Sequence, residues 1–457
     1  MGNINLITSL GGTVTIVPTN TANNVTINVP STAGSLLVAE SGKGIQIPSG
    51  NTAQRPATPN IGYLRFNTDT GVLENYTDNG WLKVSVPIPI ISSISGTIYA
   101  GNTSNITING SNFLSTTGTV TFQISGSSPV TASATPNAGG TQVSCLVPSG
   151  IHSAASGGTV ISVSYTNTDN GVSGPYSMTA VGLPTGGTIT QIGNTKIHTF
   201  TSSGNFVVPT NFTANANYLI VAGGGGGGGW GGGGGAGGLI TGFTSISTQS
   251  YSIVVGAGGT RGGYTSDYYA GGDGGNSSAL SATVALGGGG GGYYDRNAGR
   301  SGGSGGGGGM GSVSGTHTSG GTGTSGQGFA GGLGSGIVSG WYSNRGGGGG
   351  GASQVGYTGV VDTVGVTNAG RGGDGLASTI SGSSQYYGGG GAGHGGYTTG
   401  RGIGGAGGGG AGGRYTEIGG DSGTVNTGGG GGGAYGTSTE LCGAGGSGIV
   451  IIRYQLS

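Results

Sequence analysis

Charge is scarce in this chain of 457 residues. Thirteen basic and thirteen acidic side chains make up only 6% of it and cancel to a formal net charge of zero. No basic surface of the kind that neutralises phosphates can be assembled, which argues against a nucleic-acid partner. Disordered chains stay solvated through high net charge and low hydrophobicity. This one is neutral and 32% hydrophobic, so a random coil is a poor fit for the whole. Cysteine is nearly missing: Cys145 and Cys442 lie far apart and form no CxxC pair. They read as buried or free thiols rather than as a disulfide framework. No stretch of about 18 apolar residues occurs, so no transmembrane helix is expected. Met1 to Leu10 has no basic stretch followed by an apolar run, so no secretory signal is expected either. Helical periodicity is also missing, and no helix is predicted anywhere.

Glycine is what the chain has instead, 122 residues of it, concentrated after about residue 222 in runs such as Gly223–Gly229, Gly231–Gly235, Gly287–Gly292, Gly346–Gly351 and Gly428–Gly433. Glycine loses more backbone entropy on folding than any other residue and brings no side chain to bury. Two outcomes remain: a disordered tract, or polyproline II-type glycine helices packed backbone to backbone. Such a helix has three residues per turn, rises about 3.1 Å per residue and makes no internal hydrogen bonds. Its N–H and C=O groups all point outward, where bare neighbours can satisfy them.

Elsewhere the pattern is β. Residues 3–50 alternate in short bursts (Val14, Ile16; Val25, Ile27, Val29; Leu36, Val38; Ile45, Ile47), each too thin to stand alone. Copies wrapped around one another would stabilise them. Residues 54–84 read as a β-meander, with turns at Asp69–Gly71 and Asp78–Gly80. Residues 87–183 carry strands at regular spacing: Ile88–Ile94, Asn105–Ser111, Thr117–Ile124, Thr141–Val147, Thr159–Thr166 and Tyr176–Val181. That spacing suits an immunoglobulin-like sandwich. Further strands are expected at Tyr218–Ala222, Tyr251–Val255, Leu280–Leu286 and Gly448–Tyr454.

Three resemblances follow from quoted residues. Arg55, Pro56, Gly62, Arg65, Phe66, Asn67, Gly71, Glu74 and Trp81 stand where they do in a module of about thirty residues from bacteriophage tail-fibre and other virion appendage proteins, which residues 54–84 resemble. The phrases Pro89–Ser95, Ile106–Phe113 and Val143–Gly150 resemble an IPT/TIG domain, which implies a spacer or platform rather than chemistry. The phrases Thr199–Pro209, Tyr218–Gly229, Tyr251–Gly259, Thr283–Gly292 and Gly445–Tyr454 resemble the glycine-rich domain at the ends of phage fibre and bacterial surface proteins. In related phage tail-tip adhesins the glycine runs form packed polyglycine II helices and receptor specificity sits in the loops between them.

Enzymatic motifs do not stand out. GxGxxG recurs, but a dinucleotide site needs a strand, the motif, a helix and a downstream acid. Lys43, Lys83 and Lys196 do not complete a phosphate loop, and His152, His198, His317 and His394 have no metal-ligand spacing. Asp267, Asp273, Asp295, Asp362, Asp374 and Asp421 could pair in space, so a glycosidase pair stays open at low weight. The aromatic interruptions are more informative. Candidate receptor-binding residues are Tyr264, Asp267, Tyr268, Tyr269, Tyr293, Tyr294, Arg296, Trp341, Tyr342, Arg345, Tyr386, Tyr387, Tyr397, Arg414 and Tyr415; Trp230 interrupts the first run. Tyrosine offers a broad apolar face and a hydroxyl at small entropy cost, which suits binding loops. The competing reading is that some of these rings cover the glycine layer.

The expectation is an all-β chain. Its parts are an N-terminal β-rich segment (1–53), a tail-fibre-type β-meander (54–86), an IPT/TIG-like sandwich (87–184) and a glycine-rich domain of strands and packed polyglycine II helices (185–457). Its function is expected to be that of a non-enzymatic virion appendage without cofactor or metal. Residues 1–86 would contact other virion proteins and build a homotrimer, and loops on the glycine scaffold would bind a bacterial surface glycan or outer-membrane protein. It would be assembled in a host cytoplasm and act outside. A structural capsid fibre or appendage-wall subunit, and a bacterial surface adhesin, are the alternatives.

Overall fold

A computed structural model describes residues 5–7, 13–15, 47–84, 88–263, 270–294, 297–311, 316–336, 345–360, 369–396, 400–414, 419–435 and 441–456. The chain divides into two compact units, Met1–Pro87 and Ile88–Ser457. Nearly everything is β, and no helix among the described residues is long and apolar enough to cross a membrane.

In the first unit, β1 (Asn5–Ile7) pairs antiparallel with β2 (Thr13–Thr15). The other bursts expected before residue 47 lie outside the described residues. A four-stranded sheet follows in the order β3 (Ser49–Gly50), β4 (Leu64–Asn67), β5 (Val72–Thr77) and β6 (Gly80–Lys83). Its inside is polar. Arg65, Asn67 and Glu74 are buried, whereas Leu64, Phe66, Leu82 and Val84 are exposed. Glu74 holds the cluster together: Arg55 Nη2 reaches its Oε2 at 2.6 Å, Arg65 Nε lies 3.6 Å from its Oε1, and Asn67 Nδ2 donates to Oε2 at 3.2 Å. The Arg55 hydrogen bond, more than the Asn67 bond and the two guanidinium charges, holds the Glu74 carboxyl below the usual range against the effect of burial. Both guanidinium groups also lie over the Trp81 ring, at 5.9 and 5.8 Å.

The second unit opens with a sandwich. One sheet has the order β11 (Gln142–Leu146), β8 (Asn105–Ser111), β7 (Ile90–Ser95). The other has β10 (Val130–Ala134), β9 (Gly118–Ile124), β12 (Val160–Thr166), β13 (Tyr176–Thr179). Period-two alternation sends Ile106, Ile108, Val120, Phe122, Val143, Val163 and Tyr165 into one core, as an immunoglobulin-like arrangement requires. Two elements depart from expectation. Val130–Ala134 is a strand whose small residues gave little signal, and Ser149–Ala154 forms a six-residue helix, α1, entered from Pro148.

The rest of the unit joins strands to glycine helices. A five-stranded sheet has the order β14 (Thr188–Ile192), β15 (Thr195–Phe200), β24 (Ile449–Gln455), β17 (Ala214–Val221), β18 (Leu239–Ile246), and β16 (Gly204–Val208) pairs with β19 (Gln249–Ile253). Among the described residues, two short strand pairs lie in the glycine region or beside it, β20 (His317–Thr318) with β21 (Gly334–Ser335), and β22 (Leu376–Ser378) with β23 (Gln385–Tyr387). Isolated bridges, such as Ser277 to Ala285, add to them. The expected strand Leu280–Leu286 does not form: Leu280 and Ser281 turn the chain with φ of 52° and 57°. Phe200, Phe206, Phe212, Ile452 and Tyr454 build the core on one face of the large sheet, joined by Tyr99 from the sandwich. His198 is buried there, with Nδ1 2.8 Å from the Gly186 carbonyl and Nε2 3.1 Å from the Tyr454 hydroxyl.

The runs are packed polyglycine II helices, and their hydrogen bonds prove the period. The N–H groups of Gly223 to Gly228 donate in turn to the carbonyls of Gly275, Gly446, Gly235, Gly272, Gly443 and Gly232, at 2.8–3.0 Å. Every third donor returns to the same neighbouring segment, as three residues per turn dictates. The numbers also give direction. Gly225 to Gly235 and Gly228 to Gly232 make the 223–229 and 231–238 segments antiparallel, while Gly288 to Gly223 and Gly291 to Gly226 make 287–292 parallel to the first. Chain segments thus run out from the sheet and back. β17 feeds 223–229, 231–238 returns to β18, and 441–448 returns to β24. Glycine is required because a Cβ on Gly225, Gly227 or Gly234 would land on a neighbouring backbone carbonyl.

Candidate functional site

The far end of the glycine layer gathers the chain reversals. Trp230 sits at the first of them with φ of 51°, a left-handed conformation that a bulky residue adopts only when its surroundings impose it. They do so through backbone hydrogen bonds: Trp230 N–H to Ala434 O at 2.6 Å, Met310 N–H to Trp230 O at 3.3 Å, and Tyr294 N–H to Gly229 O at 3.3 Å. His394 N–H donates to Gly231 O at 3.0 Å, and Gly346 N–H to His394 O at 3.2 Å.

Side chains collect on this end as an aromatic group. The Trp230 ring centroid is 3.8 Å from that of Tyr435 and 5.5 Å from that of Tyr294, and His394 lies 6.0 Å from Tyr435. Met310 and Arg345 are buried among the same helix ends. His394 is buried with neither ring nitrogen hydrogen-bonded. Burial, reinforced by the Arg345 charge, pushes its pKa down to about 3, so the ring is neutral.

The expected site residues divide into three groups. Tyr293, Tyr294 and Arg414 are half-buried at this end, on helix ends that lead into adjoining segments. Arg345 is there too, but buried, so it supports the end rather than facing outward. Tyr386 and Tyr387 are elsewhere, on β23 near the sheet. Strand alternation exposes Tyr386 and buries Tyr387 with Ile197, Leu219, Val221 and Ile449. Tyr387 is therefore a core residue, which corrects its reading as a loop contact. Tyr264, Asp267, Tyr268, Tyr269, Arg296, Trp341, Tyr342, Tyr397 and Tyr415 lie outside the described residues. The described residues that flank them (Gly263, Tyr294, Arg345, Gly396 and Arg414) belong to this same end. Sequence reasoning noted Trp230 as the interruption of the first run and His394 as isolated, placed neither among the contact residues, and did not single out Tyr435. Their signal was an aromatic ring at the end of a glycine run.

The scattered carboxylates face arginines. Asp374 pairs with Arg371 and Asp421 with Arg401, each at 2.7 Å, and Asp273 lies 3.4 Å from Arg300. Asp267, Asp295 and Asp362 lie outside the described residues. Among the described residues, no three His, Cys, Asp or Glu side chains come together in a metal-binding group. Cys145 and Cys442 are free and buried, and burial pushes each thiol up to about 11.

Compared with known proteins, residues 199–455 match the profile of a glycine-rich domain. No curated protein matches the chain. Among solved structures, the crystal structure of the chicken CNTN1 FN1–FN3 domains is similar at 10% identity. It covers 40% of this chain and 69% of that one, with a TM-score of 0.17.

Proposed function

This chain belongs to the glycine-rich domain family, and from that premise we propose that it is a virion appendage protein, a phage tail fibre or tail-tip adhesin, whose glycine layer presents receptor-binding loops. The observation that carries the reading is topological. Eight segments (264–269, 295–296, 312–315, 337–344, 361–368, 397–399, 415–418 and 436–440) are each flanked by described residues at the Trp230 end, away from the sheet. Chemistry-bearing residues on connections held by a rigid scaffold are how many folds bind. Residues 264–269 and 341–344 contribute Tyr264, Tyr268, Tyr269, Trp341 and Tyr342 to that set.

The partner is a bacterial surface glycan or outer-membrane protein, bound by several weak contacts multiplied over the copies on one particle. Residues 1–86 anchor the chain and trimerise it. Their sheet exposes Leu64, Phe66, Leu82 and Val84 on one face, a surface suited to a second copy. The structural alternative is favoured by the packing of Trp230, Tyr294 and Tyr435 on one another, which caps the layer without any ligand.

Replacing 264–269 and 341–344 by Gly/Ser segments of equal length separates the two. Adsorption of particles carrying the variant is expected to be lost while thermal unfolding stays unchanged. Normal adsorption, or failed assembly, would leave the structural reading.

A further inference from the structure

The large sheet has a second face, and its character changes along the strands. Under β23, Ile197, Leu219, Ile449 and Ile451 pack against Tyr387. Two residues further along, the same face turns polar. Asn217 pairs in register with Phe243 on one side and with Arg453 on the other, and Asn215 and Gln455 follow. These residues line an open cleft of about 1150 Å³, walled on one side by Ser378, Thr379 and Ser384 of the β22–β23 hairpin.

The chemistry of the cleft is specific. Its floor holds amides that can both donate and accept, as ring hydroxyls require. Phe243 is 79% exposed, an apolar plane open to solvent. Arg453 is the one charged side chain among the described lining residues, and it donates to the Thr379 carbonyl at 3.2 Å. No carboxylate among those residues balances it. We infer that this cleft binds an acidic oligosaccharide. The sugar carboxylate pairs with Arg453, the hydroxyls meet Asn215, Asn217 and Gln455, and the apolar face of a ring lies on Phe243. The site lies at the sheet end of the glycine layer, apart from the Trp230 end.

Calorimetric titration of the full chain with trigalacturonate and with galactotriose tests this. Trigalacturonate is expected to bind at least tenfold more tightly. Arg453→Gln removes a charge-assisted bond, so it should weaken the acidic sugar by about 10- to 100-fold and abolish the preference. Phe243→Ala alters an exposed side chain that the fold does not use, and should weaken both sugars. The Gly/Ser replacement of 341–344 should change neither, which keeps this site distinct from the loop end. Absence of binding by both sugars, or affinity unchanged in both point variants, overturns the inference.

Discussion

Adding one methyl group to Gly225 should cost this protein several kcal/mol, against the usual effect of such a change. The φ of Gly225 lies outside the left-handed region, so alanine can adopt its backbone without strain. At a compatible site with free space, Gly→Ala stabilises by about 0.4–1 kcal/mol, because the unfolded chain has fewer states to lose. Gly225 has no free space. Its Cβ would stand 2.6 Å from the carbonyl carbon of Gly289, and closer still to the oxygen, where an ordinary contact needs about 3.5–4.0 Å. The two backbones would have to separate by about 1 Å. Gly225 meanwhile donates to Gly235 O at 2.8 Å and accepts from Gly431 N–H at 2.9 Å, so the shift strains two buried hydrogen bonds. Overpacking contributes about 1–3 kcal/mol, and each buried group left unmatched about 1–3 more. Less the entropic gain, the net loss is about 2–8 kcal/mol. In a domain of this size that corresponds to a fall in Tm of about 4–16 °C. Gly204 on β16 has nothing within 4 Å of its Cβ direction and no left-handed φ, so it provides the control. Calorimetric melting of Gly225→Ala and Gly204→Ala should show a large drop in the first and none in the second. Equal Tm values would refute the backbone-to-backbone account of the layer.

Acid should weaken the fold through its buried histidines. Burial holds the pKa of His394 at about 3, and burial also lowers that of His198 against the opposing Gly186 hydrogen bond. The unfolded state, with ordinary values near 6.5, therefore binds more protons below that pH. Stability is full above about pH 6.5 and falls by about 1.4 kcal/mol per pH unit through His394 on the way down, with His198 adding a loss of the same sign. Melting curves from pH 7.5 to 5 should show this, and His394→Leu should reduce the slope; a flat profile would contradict the burial argument. The tyrosine pair offers a second contrast. Tyr387→Ser empties a place among Ile197, Leu219 and Ile451 and should cost about 3–5 kcal/mol in denaturant unfolding, while Tyr386→Ser, at an exposed position, should fall within about 0.5 kcal/mol of the parent.

The strands were legible because period two survives without tertiary help. Asn105–Ser111 stands as expected, and Ile90–Ser95, Gly118–Ile124 and Val160–Thr166 differ from expectation only at their ends. The meander shows the limit of that reasoning. Leu64 and Phe66 alternate correctly, yet the sheet hides Arg65 and Asn67 because Glu74 is enclosed by charge-assisted bonds. Alternation gives two faces and does not say which is inside. The polyglycine II conformation was one of the two outcomes that composition left, but the neighbour of each run could not be read at all. Partners such as Gly224 and Gly446 share no side-chain complementarity that could be read. For the same reason Trp230 and Tyr435, 205 positions apart (435 − 230), gave no sign that their rings meet.

A layer held by main-chain bonds has a consequence for how the protein can change. Its neighbours recognise only bare backbone, so the frame exerts no preference over what the chain does between one outbound run and the next return. Each reversal at the Trp230 end can then be lengthened, shortened or rewritten without repacking a core, and several can change independently. Variation is freer at the connections than inside the runs, where at a position such as Gly225 a single methyl collides with the carbonyl of Gly289. Frame and connections are thereby inherited on separate residues, so that one can change while the other stands still.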